Sequence, residues 1–484
     1  MGPNFRFGGG ATESVIHPIV LVAMLIAIVL ILLLPRRYVI IPVLAMTFLV
    51  PLSQQLVVLG VHLFVARIII LAGLARLAAT KFGSRLNSLD KAFALWAVFR
   101  ALASILLFLQ VGAFINQAGF LLDALGGYFL LRYLIRDQED IFRAIKTLSA
   151  IALIIGACMV YERAHLVNVF SLLSGKTIVP EVRDGVVRSI GPFEHEILAG
   201  VFGATLLPLF LLLWKVGKSR LLAFVGLVAA TVITVTSASS TSLLAYVAGL
   251  FAVCLWPLRK EMRFLRWGIV LGIVCLQLVM KVPFWWAIQH VHVMDASSSW
   301  HRAQLVDEFI RHFFNWCLIG TKDNASWGFQ TWDLCNQYVA EGETGGLATL
   351  ICFIALIVIS FKRLGIARKA VEGDRKKELY FWFLGAALFA HVTAYLGISY
   401  FDQTRVAWFA LLVFICAATA PAMVHELAPE PAPAGLSPSR PLARAGWSLR
   451  ASPRAGLAPD TRKPLDSQMQ AGRSPALRKM LRDK

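Results

Sequence analysis

Apolar stretches of roughly twenty residues recur along almost the whole chain, as in ILAGVFGATLLPLFLLLW at 197–214. At 1.5 Å per residue, a helix of about 20 residues crosses the roughly 30 Å of hydrocarbon in a bilayer. Repetition of that length constrains the fold more than any local motif. The remainder offers no soluble alternative: only 15% of the 484 residues are charged, and the mean hydropathy is +0.69, too little polar surface for a soluble globule of this size. The pattern predicts an all-α, polytopic membrane bundle of about 12–14 transmembrane helices rather than a barrel, because the apolar runs are continuous instead of alternating. The expected spans are 15–34, 38–52, 56–79, 92–112, 114–134, 144–161, 197–214, 221–236, 243–258, 267–285, 345–361, 379–398 and 405–420. The first run exceeds a signal-peptide core and lacks a small-x-small cleavage pattern, so it reads as an uncleaved span.

The net charge of +19 is unevenly distributed. Lys and Arg cluster in alternate connections: Arg36–Arg37, Lys81–Lys91, Arg132–Lys146, Lys215–Arg220, Arg259–Arg266 and Lys362–Lys377. All fall on one side, which the positive-inside rule makes cytoplasmic. That places the N-terminus outside, the C-terminus inside, and two long acidic-leaning loops, 162–196 and 286–344, on the outer face. Such a distribution argues for a membrane and against nucleic acid as the partner of the basic charge. The chain divides into a transmembrane domain, 1–420, and a basic cytoplasmic tail, 421–484. The tail is rich in Pro, Ala, Ser and Arg without an apolar period, so disorder is expected there. No internal repeat is visible.

Cysteines sit mostly in spans, where they act as small apolar residues. Cys317 and Cys335 share an outer loop, where an oxidising compartment permits a disulfide, and the sequence leaves paired and free states equally open. Within the spans, Arg100 and Asp123 stand out, since a lone charge at mid-bilayer costs about 2.5–3.5 kcal/mol on insertion scales. They lie at similar distances from the turn near Gly112, so an ion pair within one hairpin is expected, ahead of a role in a substrate path. His17, His62 and His391 are isolated in apolar runs and read as packed neutral side chains, with no metal-ligand spacing. KVGKSR at 215–220 contains Gly-Lys-Ser but lacks the upstream glycine of a phosphate loop, position 212 being leucine. RDQED at 136–140 reads as a solvated turn, with Mg²⁺ and nucleotide-sugar binding as the sharper alternative.

Chemistry is expected in the two outer loops. In RSIGPFEHE (188–196), Gly191 and Pro192 look like an N-cap and first helical residue, which puts Glu194 in the first turn, where the helix dipole favours acids. Arg188 and His195 are not explained by capping. In the second loop, Leu305, Val306, Phe309, Ile310 and Phe313 form one helical stripe with Arg302, Asp307 and Arg311 largely off it, the pattern of a helix lying on a membrane surface. Asn336, Glu341 and Glu343 precede the next span and share the outer face.

Taken in order, RSIGPFEHEILAG, TVTSASSTSLLA, WHRAQ and CNQYVAEGETGGL resemble the landmarks of the O-antigen ligase and polysaccharide polymerase family of bacterial inner membranes. The resemblance covers about residues 180–361 together with the hydrophobic layout. It implies a helical membrane fold resembling the glycosyltransferase C superfamily and a metal-independent glycosyltransferase without cofactor. Such an enzyme moves glycan from an undecaprenyl-diphosphate donor to an acceptor hydroxyl at the periplasmic face of the inner membrane. A chain-length regulator or export machinery would be its protein partner. Arg188 and Arg302 are then the candidate diphosphate clamp, because guanidinium forks bind phosphate oxygens in bidentate fashion. His195 and Glu194 are the candidate bases for the acceptor hydroxyl, with His301, Asn336 and Glu341 as further substrate contacts. Two departures stand out: TSASSTS lacks the arginine of the family's Ser-rich segment, and Cys335 stands where the ligases carry a histidine before Asn. The second tilts the expectation toward a polymerase of an exopolysaccharide or O-antigen, with a ligase as the alternative. A transporter or flippase, suggested by the span number with Arg100 and Asp123, and a cytoplasmic-facing nucleotide-sugar transferase, resting on RDQED, are the other classes.

Overall fold

The computed structural model describes residues 14–58, 61–80, 86–175, 177–290 and 296–427. The chain runs through α1 (Pro18–Leu33), α2 (Arg36–Leu49), a hairpin of β1 (Gln55–Val58) and β2 (Val61–Phe64), α3 (Val65–Ala79), α4 (Ser88–Phe108), α5 (Val111–Leu121) and α6 (Gly127–Leu134). It continues with α7 (Gln138–His165), α8 (Ser171–Ser174), a second hairpin of β3 (Glu181–Arg183) and β4 (Val186–Arg188), α9 (Glu196–Lys215), α10 (Arg220–Thr236), α11 (Ser240–Cys254) and α12 (Met262–Val279). Last come α13 (Ala296–Arg311), α14 (Phe313–Trp316), α15 (Gln337–Ala370), α16 (Arg375–Ala394) and α17 (Thr404–Leu427). Each expected span falls on a helix. Seven of these, α4, the continuous α5–α6 segment, α7, α9, α12, α15 and α17, are long and apolar enough to cross a membrane, among the described residues. Shorter apolar helices are α1, α10 and α11.

Helix starts lie further out than the apolar runs suggest, because polar caps set them. Asn87 accepts from the Leu89 and Asp90 N–H groups while Asp90 accepts from the Asn87 N–H, a complete capping box that starts α4. Asp137, Asn336 and Asp374 cap α7, α15 and α16 by accepting first-turn N–H groups. The expected span 56–79 is only partly helical: Gln55 pairs with Phe64 in an antiparallel ladder, and the helix begins at Val65. At the other end α17 continues through Pro421 to Leu427, so the tail boundary lies later than the composition change implied; the remainder of the tail is outside the described residues. The second-loop helix, α13, does not lie free on a surface. Leu305 and Phe309 are buried against Trp316, Trp327, Cys335 and Val339, and the off-stripe Asp307 is buried as well, accepting from Arg311 and from Trp285 Nε1.

The centre of the bundle is α9, wrapped by α10, α11 and α16. Small residues make this possible: a side chain at Gly200 would strike Ser237 and Ser242, and one at Gly203 would come within 2.7 Å of the Ala230 carbonyl. Without a hydrophobic drive between helices in lipid, such close backbone approach supplies the packing. By contrast, none of the residues of α12 is buried.

The intramembrane charges pair across helices, not within the predicted hairpin. Asp123 lies in the π turn Leu122–Gly126 that joins α5 to α6, and the turn presents it to α3, where Arg67 forks its carboxylate at 2.9 Å. Arg100 instead bonds Glu341 of α15 at 2.9 Å and lies over the Phe120 ring. Of RDQED, Arg136, Asp137, Gln138 and Glu139 are exposed, as expected of a solvated turn, while Asp140 is buried and ion-paired with Arg36 and Arg143.

Candidate functional site

The segment before α9 is held in place by its backbone. Glu162, buried at the end of α7, accepts from the Ile190 and Gly191 N–H groups at 3.1 and 2.9 Å and from Asn168 Nδ2. The Ser189 N–H donates to the Thr236 carbonyl and its hydroxyl to that of Met159. From the loop between α16 and α17, Asp402 accepts the Glu194 N–H and Gln403 donates to the Pro192 carbonyl. Burial raises the Asp402 carboxyl above the ordinary aspartate range, against the opposing pull of the Thr404 and Glu194 N–H groups. Gly191 is therefore not an N-cap. Its φ of +62° belongs to a left-handed turn, the helix begins at Glu196, and His195 caps it, its Nδ1 lying 3.2 Å from the Ile197 N–H.

What this anchored loop presents is a charged cluster. Arg188, only 9% exposed, lies with Nη1 2.8 Å from Glu181 of β3 and 2.7 Å from Glu196. Its buried Nε–H has no hydrogen-bond acceptor. Glu196 is buried, whereas the Glu181 side chain is 52% exposed. His195 Nδ1 also lies 3.2 Å from Glu196 Oε2. The two roles of Nδ1 exclude each other: accepting from Ile197 leaves Nε2 protonated, while donating to Glu196 leaves a lone pair on the half-exposed Nε2. The cluster thus holds a guanidinium with an unused donor beside an imidazole that a carboxylate can orient as a base. Glu194, the other candidate base, is exposed, and the buried carboxylate beside His195 is that of Glu196.

Arg302 on α13 donates to Thr241 Oγ1 at 3.0 Å, and Thr241 in turn donates to the Gly397 carbonyl. Ser242 donates to the Ile197 carbonyl on α9. The Ser-rich turn 236–242 therefore touches both elements: Ser189, next to Arg188, at Thr236, and Arg302 at Thr241. In this way the structure brings the two predicted arginines to one end of the bundle. His301 lies 3.4 Å from the Asp333 carbonyl and 3.9 Å from its carboxylate. Cys335 is buried beside this group. Burial pushes its thiol up to about 12, against the nearby positive charge of Arg302, so it stays protonated and cannot replace a basic histidine. Cys317 and Cys335 are free thiols.

Two other predicted contacts are committed to structure. Asn336 caps α15 through Tyr338 and Val339 and donates to the Leu396 carbonyl. Glu341, fully buried, receives Trp96 Nε1, Arg100 Nη1 and Gln337 Nε2. Sequence reasoning missed Glu162, Glu181, Glu196 and Asp402 as the residues that hold or complete the cluster. Glu196 carried a signal, standing next to His195; Glu181 faces Arg188 only through the β3–β4 hairpin, and Glu162 and Asp402 reach the site from segments more remote in sequence.

No protein-family model matches the chain, and no curated protein matches it significantly.

Proposed function

We propose that this chain is a membrane glycosyltransferase of the polysaccharide polymerase type, acting on a lipid-diphosphate-linked glycan at the loop end of the bundle. The reading rests on the resemblance of its motifs and, above all, on Arg188: a nearly buried guanidinium whose Nε–H lacks an acceptor, on an anchored loop beside a half-exposed histidine. A phosphate oxygen is the acceptor such a fork lacks, and charge-assisted bonds of this kind contribute about 1.5–3 kcal/mol each.

In the proposed step, the acceptor hydroxyl oxygen bonds to the donor's anomeric carbon as the bond from that carbon to the diphosphate oxygen breaks. The electron pair leaves with the lipid diphosphate, and the hydroxyl proton passes to His195 Nε2, with Nδ1–H held by Glu196 Oε2. Exposed Glu181 occupies Arg188 meanwhile and yields to phosphate; buried Glu196 stays and balances the histidine as it charges. Arg302 approaches from α13 as the second phosphate ligand. This reading adopts the fold resemblance to the glycosyltransferase C superfamily, about thirteen spans, and the placement of the long loops in the periplasm of a bacterial inner membrane. The charges that prompted a transporter reading, Arg100 and Asp123, are each bonded to a partner on another helix.

Replacement of Arg188 or Arg302 by Ala is expected to abolish polymer while the protein is still made and lipid-linked repeat units accumulate. Full polymer from either variant overturns the clamp. Finished but unattached chains in a deletion strain would select the ligase alternative.

A further inference from the structure

A second polar site lies apart from Arg188, under the segment that follows α14. Gly320 packs its backbone onto the first turns of α15, and the Thr321 N–H donates to the Glu343 carbonyl at 2.9 Å. Asn324, buried, donates to Glu343 Oε2 at 2.7 Å and to the Thr331 carbonyl at 2.6 Å. Glu343 is 5% exposed, and its Oε1 has no hydrogen-bond partner. It lines a cavity of about 240 Å³ together with Ser104, Lys322, Asn324, Trp332 and Leu334. A buried carboxyl oxygen left unsatisfied is costly, and its place beside a cavity calls for a hydrogen-bonding group from outside the chain.

The lining narrows the class of that group. Asp323 offsets Lys322 at the rim, so no net charge there selects a phosphate or other anion, and a buried carboxyl group favours a neutral hydrogen-bonding partner. Ligand pockets for drug-sized molecules run from about 300 to 1,000 Å³, so this smaller cavity suits one ring and not a polyprenyl chain. Trp332, 68% exposed, supplies an aromatic face at the mouth. We propose that this cavity binds a single neutral sugar ring, one hydroxyl hydrogen-bonded to Glu343 Oε1 while Trp332 covers a face of the ring. Its use as the acceptor subsite rests on the transferase reading; sugar binding itself does not.

The full chain in lipid nanodiscs is titrated with methyl glycosides of glucose, galactose, mannose, rhamnose and N-acetylglucosamine, followed by saturation-transfer NMR, with choline as a cationic probe. At least one glycoside is expected to bind. Glu343→Met should weaken it by about fivefold or more, the loss of one hydrogen bond of about 1 kcal/mol. Trp332→Ala, at an exposed position that leaves the fold intact, should weaken it as well. Absence of transfer from every glycoside, equal affinity in both variants, or displacement of the glycoside by choline overturns the proposal. Loss of polymer in Arg188→Ala without glycoside binding removes this inference alone. Glycoside binding with full polymer in Arg188→Ala removes the transferase reading and leaves the sugar site standing.

Discussion

Glu162 is the anchor whose loss is most informative. Its carboxylate receives the Ile190 N–H at 3.1 Å, the Gly191 N–H at 2.9 Å and Asn168 Nδ2 at 3.0 Å, with the residue 1% exposed. Asn168 keeps a second acceptor, the Gly191 carbonyl, when the carboxylate goes. Glu162→Ala therefore strands two backbone donors, each costing about 1–3 kcal/mol when buried and unpaired. Release of the carboxylate's own desolvation offsets part of this, leaving a net loss of about 2–4 kcal/mol. Glu162→Gln retains a carbonyl acceptor and should lose only about 1–2 kcal/mol. The effect is local to the segment carrying Arg188 and His195, so hydrogen exchange of peptides spanning 188–195 is the assay. At 1.36 kcal/mol per tenfold change, exchange should accelerate roughly 30- to 900-fold in the Ala variant. The core of α9 should stay protected. Unchanged protection of 188–195 in Glu162→Ala would refute the claim that this carboxylate holds the loop.

Removing Arg100 or Glu341 singly leaves a buried partner uncompensated and is expected to cost about 3–5 kcal/mol, and the Arg100→Ala/Glu341→Ala double variant should cost less than the sum. Additivity there, or coupling between Arg100 and Asp123 instead, would contradict the observed pairing; resistance to proteolysis in detergent reports it. Because the folded protein keeps the Cys335 proton up to about pH 12 while the unfolded thiol loses it near 9, the stability this burial contributes is present below pH 9 and lost as pH rises through that window. Native maleimide labelling of Cys335 should accordingly be slow at neutral pH and quicken as pH rises, and SDS-treated, unreduced protein should yield seven reactive thiols, five indicating a disulfide. Gly346 holds φ 72° and ψ −174°, and a side chain there would strike the Leu318 carbonyl. Gly346→Ala should thus destabilise by more than about 2 kcal/mol, whereas Gly365→Ala, with open space around it in the same helix, should be neutral or stabilising in thermal unfolding.

The apolar runs alone determined that this is a bundle of helices in a membrane, since about 20 residues of unbroken hydrophobicity have few other solutions. They also placed the long apolar helices, whose starts lie beyond the hydrophobic edge where Asn87, Asp137, Asn336 or Asp374 caps, while α3 begins late, at Val65, because the β1–β2 hairpin takes up the start of its apolar run. Arg188 and His195 were legible because a charge at the lip of a span demands a reason. Their partners were not. Glu162 and Asp402 come from 26 and 214 positions away from Arg188 (188 − 162, 402 − 188), and only the packing of α7 and the α16–α17 loop around α9 brings them near. Charge pairing shows the same division. Matching depth in one hairpin allowed Arg100 to meet Asp123, but depth fixes one coordinate of a side chain and not the face of the helix it leaves from. The π turn at Leu122–Gly126 and the approach of α15 decided that face, sending Asp123 to Arg67 and Arg100 to Glu341.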